Sequence, residues 1–194
     1  MNHVHSKLLS LMELPMKWFR AGGLLLLFCI TLTARESELT ETGQQVPDFS
    51  VVILEGREVH IRDLRGRVVP INFFATWCGP CNREMPHLEN DIWQVYKDRP
   101  FTVLSIAREH TMEETAAFRD EKGLTFPMAP DPDRSVYGLF ASMYIPRNIL
   151  VDPQGKIVYQ ETGFDEEKLK DLLRQIDSLL NPSNNSWSPR EVYE

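Results

Sequence analysis

Cys78 and Cys81 stand one helical turn apart in the stretch "FFATWCGPCNREMP", residues 73 to 86, just after an apolar run and just before Pro86. Three kinds of chemistry use such a pair: a metal clamp, a structural staple, or a dithiol that opens and closes. A zinc clamp needs two further ligands. Of the three cysteines in the 194-residue chain the third, Cys29, lies in an apolar N-terminal run, and the histidines nearest in kind are His60, His87 and His110. His87 follows Cys81 by six residues, outside the usual close ligand spacings. A disulfide between Cys78 and Cys81 would close a very small loop, so its entropic gain falls well below that of a long-range bridge. A Cys-x-x-Cys beside a strand-helix unit is, by contrast, a strong redox signal.

Position separates the two sulfurs. A cysteine in the first turn of a helix faces unsatisfied N–H groups and the positive end of the helix dipole, and both favour thiolate over thiol. Cys78 holds that place and is the expected nucleophile. Cys81, a turn later and deeper, can attack the same sulfur and expel whatever Cys78 has bound.

The flanking sequence supplies the elements that position the pair. "VVPINFF", residues 68 to 74, reads as a strand buried on both faces, although Pro70 cannot donate to a ladder. Met85, Leu88, Ile92, Trp93 and Tyr96 recur at helical spacing, so the motif opens an amphipathic helix that Pro86 should kink. Residues 101 to 107 read as a second buried strand and 111 to 123 as a helix stopped by Gly123. Two short β-rich runs about Glu55-Gly56 predict a hairpin ahead of this unit, and "NILVD" and "KIVYQ" about residues 153 to 155 predict another behind it. Residues 135 to 142 read as a short helix. A terminal helix over 165 to 180 places Leu169, Leu172, Leu173, Ile176 and Leu180 on one face, with acids in its first turn. Strand, helix, strand, helix argues for an α/β fold with a parallel core.

Trp77-Cys78-Gly79-Pro80-Cys81 resembles the active site of thioredoxin, with Pro86 placed as the helix-kinking proline of that fold. Ile145-Pro146, just before "NILVD", resembles its cis-proline, which lies against the disulfide and offers backbone groups to substrate; a trans proline opening a strand is the plainer alternative. The longer stretch "VPDFSVVILEGREVHIRDLRGRVVPINFFATWCGPCNREMP" resembles the TlpA/ResA-like exported thiol-disulfide oxidoreductases. That resemblance implies a thioredoxin-like domain over 47–181: a central mixed sheet flanked by helices, an added N-terminal β-hairpin and a central insertion around residues 108 to 130. It implies disulfide reduction in protein substrates through Cys78 and Cys81, an electron donor it does not identify, and no cofactor or metal. An oxidant or isomerase of exported proteins, or a copper-binding module using the two thiolates, are the alternatives. The nucleophile lacks the Thr and Arg surroundings of peroxiredoxins.

Several residues carry expectations of their own. Thioredoxin has a buried Asp in the strand before the motif, but Asn72 stands here and cannot serve as a base. Glu84 falls where some ResA-like members carry a Glu, which places it either to tune the cysteines and relay a proton or merely as an exposed helix acid. Trp77 either presents the nucleophile or packs. Gly79 and Pro80 shape the turn between the sulfurs. Arg147 departs from the small polar residue common after the family's cis-proline. Arg108, Glu109 and His110 either line the substrate groove or form a solvated loop.

The termini bear on location. Residues 1–34 carry Lys7, Lys17 and Arg20 ahead of "AGGLLLLFCITLTA", which fits a secretory signal better than a membrane span. The true start is placed at Met16 and the cut after Ala34, with an uncleaved anchor as the alternative. Lipidation at Cys29 is disfavoured by the bulky Phe28 before it. These features predict export to a bacterial periplasm or cell envelope, with membrane association only if the segment is kept. The whole chain has a formal charge of −7; removing residues 1–34 takes away three basic residues and one acid and leaves about −9, a poor match for nucleic acid. Residues 35–46 read as a polar linker and 182–194 as a flexible tail.

Overall fold

In the computed structural model, which describes residues 37–182, β3 (Val69–Phe74) is buried at all of its positions and runs through the middle of a five-stranded sheet. Around it the order is β5 (Met128–Asp131), β4 (Leu104–Arg108), β3, β6 (Arg147–Val151) and β7 (Ile157–Thr162). β3, β4 and β5 are parallel, whereas β6 and β7 are antiparallel, which makes the sheet mixed. A separate hairpin, β1 (Ser50–Val52) with β2 (Glu58–His60), precedes it.

The pleat of β3 divides the core. Val69, Ile71 and Phe73 face the hairpin side, where Phe73 packs edge-on to Tyr137 at 5.3 Å and against Phe140 at 5.1 Å. Phe74 faces the helices: α1 (Gly79–His87), α2 (Met112–Lys122) and α3 (Glu166–Leu180) bring Met85, Phe118, Leu169, Leu172 and Ile176 into one cluster with both cysteines. Asn72 lies between these apolar neighbours. α1 continues as a π-helical stretch, Leu88–Trp93, and a last turn, Gln94–Tyr96. Pro86 removes one helix donor and its ring crowds the preceding turn, and the widening begins two residues later.

Pro70 finds its reason in the register. Val68 pairs with Phe101 and Ile71 with Leu104, but residues 102 and 103 belong to no strand. The missing N–H therefore falls at a gap in the ladder. That gap also shortens the strand expected over 101 to 107, which begins at Leu104. The expected insertion contains α2, closed by a Thr111–Glu114 capping box and by Gly123 at φ +65°, and then β5. β5 was not expected, because Pro130 disguises it; an edge strand accommodates that proline. The short helix expected over 135 to 142 is one 3-10 turn, Tyr137–Leu139.

The reading of residues 35–46 as a linker needs correction, because from residue 37 the chain is laid onto the domain. Leu39 donates to the Phe140 carbonyl, Gly43 to Ile157, Ile157 to Gln44 and Val46 to Gly155. Thr40 is buried and its hydroxyl donates to Gln160. The side chains are polar, but the backbone groups have fixed partners, so the packed body begins before Pro47. Residues 1–34, read as a signal or anchor, and the tail after residue 182 lie outside the described residues. Among the described residues no helix is long and apolar enough to cross a membrane.

α3 supplies Leu169, Leu172 and Ile176 to the helical-side core. Leu172→Ala should cost about 2–4 kcal/mol of stability, as expected when a buried leucine is truncated. Urea unfolding should show a lower midpoint at an unchanged m-value.

Candidate active site

β3 ends at Phe74, and four residues later the chain turns into α1 with Cys78 as its N-cap (φ −82°, ψ 109°). Cys78 Sγ accepts the Cys81 N–H at 3.2 Å, the cap interaction more often made by a serine or aspartate oxygen. Cys78 and Cys81 are joined by a disulfide, with Cα atoms 5.2 Å apart. Exposure separates them as position suggested: Cys78 is 5% exposed and Cys81 0%. Trp77, Gly79 and Pro80 stand exposed around Cys78. Trp77 is 65% exposed and so is no core residue. An added Cβ on Gly79 would meet nothing within 4 Å, so packing does not require glycine there.

The Ile145–Pro146 peptide is cis, and the Ile145 carbonyl oxygen lies 3.8 Å from Cys78 Sγ. This carbonyl and the Cys81 amide flank the outer sulfur from opposite elements. Tyr144, at φ +73°, and Met143 are exposed just before it. Arg147, just after it, is buried, with one guanidinium nitrogen 3.4 Å from Glu38 and another donating to the Met143 carbonyl at 3.5 Å. It therefore braces the loop from beneath instead of lining the substrate groove.

Glu84 is not an exposed helix acid. It is 2% exposed and accepts from Asn72 Nδ2 at 2.9 Å and from Asn148 Nδ2 at 2.6 Å. Asn72 also donates to Asn148 Oδ1 and accepts from Ser105 Oγ, both at 2.9 Å. Burial raises the Glu84 carboxyl to about 7, against the pull of the two amide donors. The donors suit a carboxylate and the apolar surroundings suit a neutral acid, so the group is poised between them. Beside it a small cleft, with room for about one water molecule, is walled by Glu84, Asn148, Tyr159, Glu161, Phe164 and Lys168. Burial, and then the acids Glu161, Asp165 and Glu84, push the Tyr159 phenol up to about 12.

Of Arg108, Glu109 and His110, only Glu109 stands exposed; Arg108 is half-buried and His110 buried. Arg108 lies 5.8 Å from the Trp77 ring centre and 5.0 Å from that of Tyr137, and pairs with Glu109 at 3.0 Å. His110 is buried against Thr76. Sequence reasoning missed Asn148, Ser105 and Thr76. Asn148 had a visible signal: like Asn72, it is a polar residue inside an otherwise apolar strand. Among the described residues no three His, Cys, Asp or Glu side chains gather as metal ligands.

A mixed sheet whose central strand delivers a helix-capping cysteine, bonded to a second cysteine and flanked by a cis-proline loop, defines a thioredoxin-fold dithiol oxidoreductase. Residues 42–160 match the model of the AhpC/TSA family. ResA, a thiol-disulfide oxidoreductase, is 32% identical in Bacillus anthracis over 142 residues, covering 73% of this chain and 82% of that protein. The ResA of Geobacillus thermodenitrificans is 33% identical over 159 residues, with coverages of 79% and 91%. Among solved structures, a Bacteroides thetaiotaomicron protein provisionally assigned as a protein disulfide isomerase aligns with TM-score 0.72 and 35% identity, over 75% of this chain and 93% of that one. A Chlorobium tepidum protein provisionally assigned as the thiol:disulfide interchange protein DsbE gives TM-score 0.64 and 29% identity, over 72% and 98%. The chain belongs to the AhpC/TSA family and, within it, is a thiol-disulfide oxidoreductase of the ResA-like type.

The Glu84 environment predicts a pH dependence of definite sign. Its native value near 7 exceeds the ordinary 4.5, so between these values the folded protein binds more protons than the unfolded chain. Stability is therefore greatest below pH 4.5 as far as this group contributes, and it declines as pH rises through 7, by a total of about 3 kcal/mol. Glu84→Gln should flatten that decline in urea unfolding of the oxidised protein between pH 5 and pH 8.

Proposed function

We propose that the protein is exported to the cell envelope of a bacterium, where it reduces disulfides in protein substrates. Support for export is the basic and apolar pattern of residues 1–34 together with the ResA-like family. The observation that carries the chemistry is the Cys78 sulfur at a helix tip, receiving the Cys81 N–H at 3.2 Å, with the Cys81 sulfur bonded behind it.

In this reading the reduced Cys78 thiolate attacks one sulfur of a substrate disulfide. That S–S bond breaks, the other substrate sulfur leaves as a thiolate and takes up a proton, and Cys78 is held in a mixed disulfide. Cys81 then loses its proton and attacks Cys78 Sγ, which frees the second substrate thiolate and closes the Cys78–Cys81 bond. Glu84 sits three residues beyond Cys81, on the same face of α1. It receives the Cys81 proton and exchanges it with water through the cleft at Lys168 and Tyr159. Trp77, Gly79, Pro80, Ile145 and Pro146 form the rim met by the substrate backbone. An external dithiol returns two electrons to the pair, so the reaction needs no bound cofactor or metal.

The Bacteroides and Chlorobium neighbours are assigned to disulfide isomerisation and interchange, and potential decides between those directions and reduction. Equilibration of the Cys78–Cys81 couple with glutathione should give a value near −270 mV, whereas one near −120 mV would make the protein an oxidant. Replacing Cys81 by serine leaves Cys78 without its resolving partner. Cys81→Ser should accumulate a mixed disulfide through Cys78 when offered an oxidised protein substrate, detected by non-reducing electrophoresis and peptide mass; absence of any adduct at Cys78 would refute the assignment of roles.

A further inference from the structure

Thr76 opens the two-residue turn, Thr76-Trp77, that leads from the end of β3 into Cys78, and it lies outside every strand ladder. Its backbone N–H donates to His110 Nε2 at 3.2 Å, its hydroxyl meets the same nitrogen at 2.7 Å, and its carbonyl accepts from Asn82 Nδ2 at 2.7 Å. A backbone N–H can only donate, so Nε2 must be the bare, accepting nitrogen. The other ring nitrogen, Nδ1, lies 2.8 Å from the Arg108 carbonyl, which can only accept. Nδ1 therefore carries the proton. One tautomer, neutral and protonated at Nδ1, satisfies all three contacts, and an imidazolium would set a donor against the Thr76 N–H.

His110 is itself immobilised from both sides. Before it, Glu109 takes φ +63° and donates its N–H to the Asp131 carbonyl of β5. After it, Thr111 caps α2, bonded reciprocally to Glu114. His110 is 5% exposed, so water is a poor replacement for its ring. Arg108, two residues earlier, lies against the Trp77 ring.

We propose that His110 is a positioning residue for the dithiol reaction: the Nδ1-protonated imidazole holds Thr76, and through Thr76 it fixes the Trp77–Cys78 edge that meets substrate. The central insertion thereby acquires a role, because its first residues clamp the loop that presents the nucleophile. The inference rests on Cys78 being the sulfur that substrate meets, which the trapping of a mixed disulfide tests independently of His110.

Two measurements decide it. Nitrogen-15 spectra of the histidine side chains in the oxidised full chain, with His110 assigned by its loss in His110→Gln, should show Nδ1 protonated and Nε2 bare. Insulin reduction with dithiothreitol as electron source should show His110→Leu about tenfold down in kcat/KM, carried mainly by KM, the size expected for loss of one to two buried hydrogen bonds. His110→Gln, which keeps an acceptor near Thr76, should stay within about threefold of the parent, less than the loss of a full hydrogen bond. A proton on Nε2, an unchanged His110→Leu, or a His110→Gln as impaired as His110→Leu would each overturn the proposal. If His110→Leu does not fold, the tautomer and the His110→Gln kinetics decide it alone.

Discussion

The Cys81 amide aimed at the Cys78 sulfur is the interaction on which the other features of the site converge. It exists because, four residues after β3 ends at Phe74, a cysteine and not an oxygen side chain occupies the N-cap of α1. A sulfur in that place receives the field of the unsatisfied helix N–H groups, which stabilises charge on it when the disulfide opens. Carrying the second cysteine one turn along the same helix makes the resolving sulfur part of the same rigid element. The approach geometry then needs no domain movement. From the other element of the site, the Ile145 carbonyl of the cis-proline loop lies 3.8 Å from the same sulfur.

Behind the sulfurs the protein has placed a carboxylate in contradictory surroundings. Asn72 and Asn148 aim amide donors at Glu84, an arrangement that suits an anion, while burial on the helical side of the sheet disfavours charge. Neither influence is large enough to fix one protonation state near neutrality, and a group balanced in this way can take and return a proton at little cost. The asparagines matter in the same argument. Asn72 is oriented by Ser105, and Asn148 is its cross-strand partner, so the network is fixed by the β3–β4 and β3–β6 registers and not by surface side chains.

How much of this could be read from the chain differs residue by residue. Cys78, Cys81 and the strand-helix unit around them follow from spacing and pattern, since a continuous apolar run gives way to apolar residues at helical spacing across the motif. The environment of Glu84 did not follow. Its helix position is compatible with solvent, and what buries it is the packing of α1 over β3 and β6, a long-range fact. Asn72 and Asn148 could be flagged as polar residues in apolar strands, yet pairing them needs the register. The segment from residue 37 to 46 was misjudged because its side chains are polar while its stability comes from backbone hydrogen bonds, which composition does not report. β5 was hidden by its proline. His110 was visible only as a charged-loop residue, because its partner Thr76 stands 34 residues earlier.

A redox protein must survive both states of its own active bond, and here fold and chemistry draw on separate sources of stability. The Cys78–Cys81 bridge spans three positions, so by loop entropy it contributes about 2 kcal/mol, well below a bridge across a hundred residues. The helical and hairpin-side clusters contain neither a second disulfide nor, among the described residues, a clustered set of metal ligands. They are held by buried apolar side chains on both faces of one sheet. Opening the bridge therefore removes little of what holds β3, α1 and α3 in place, and in the proposed reaction the helix tip, the Glu84 network and the rim residues are the local groups that tune the couple. Those terms can be retuned without unfolding the domain, so the potential of the couple and the stability of the fold are separable.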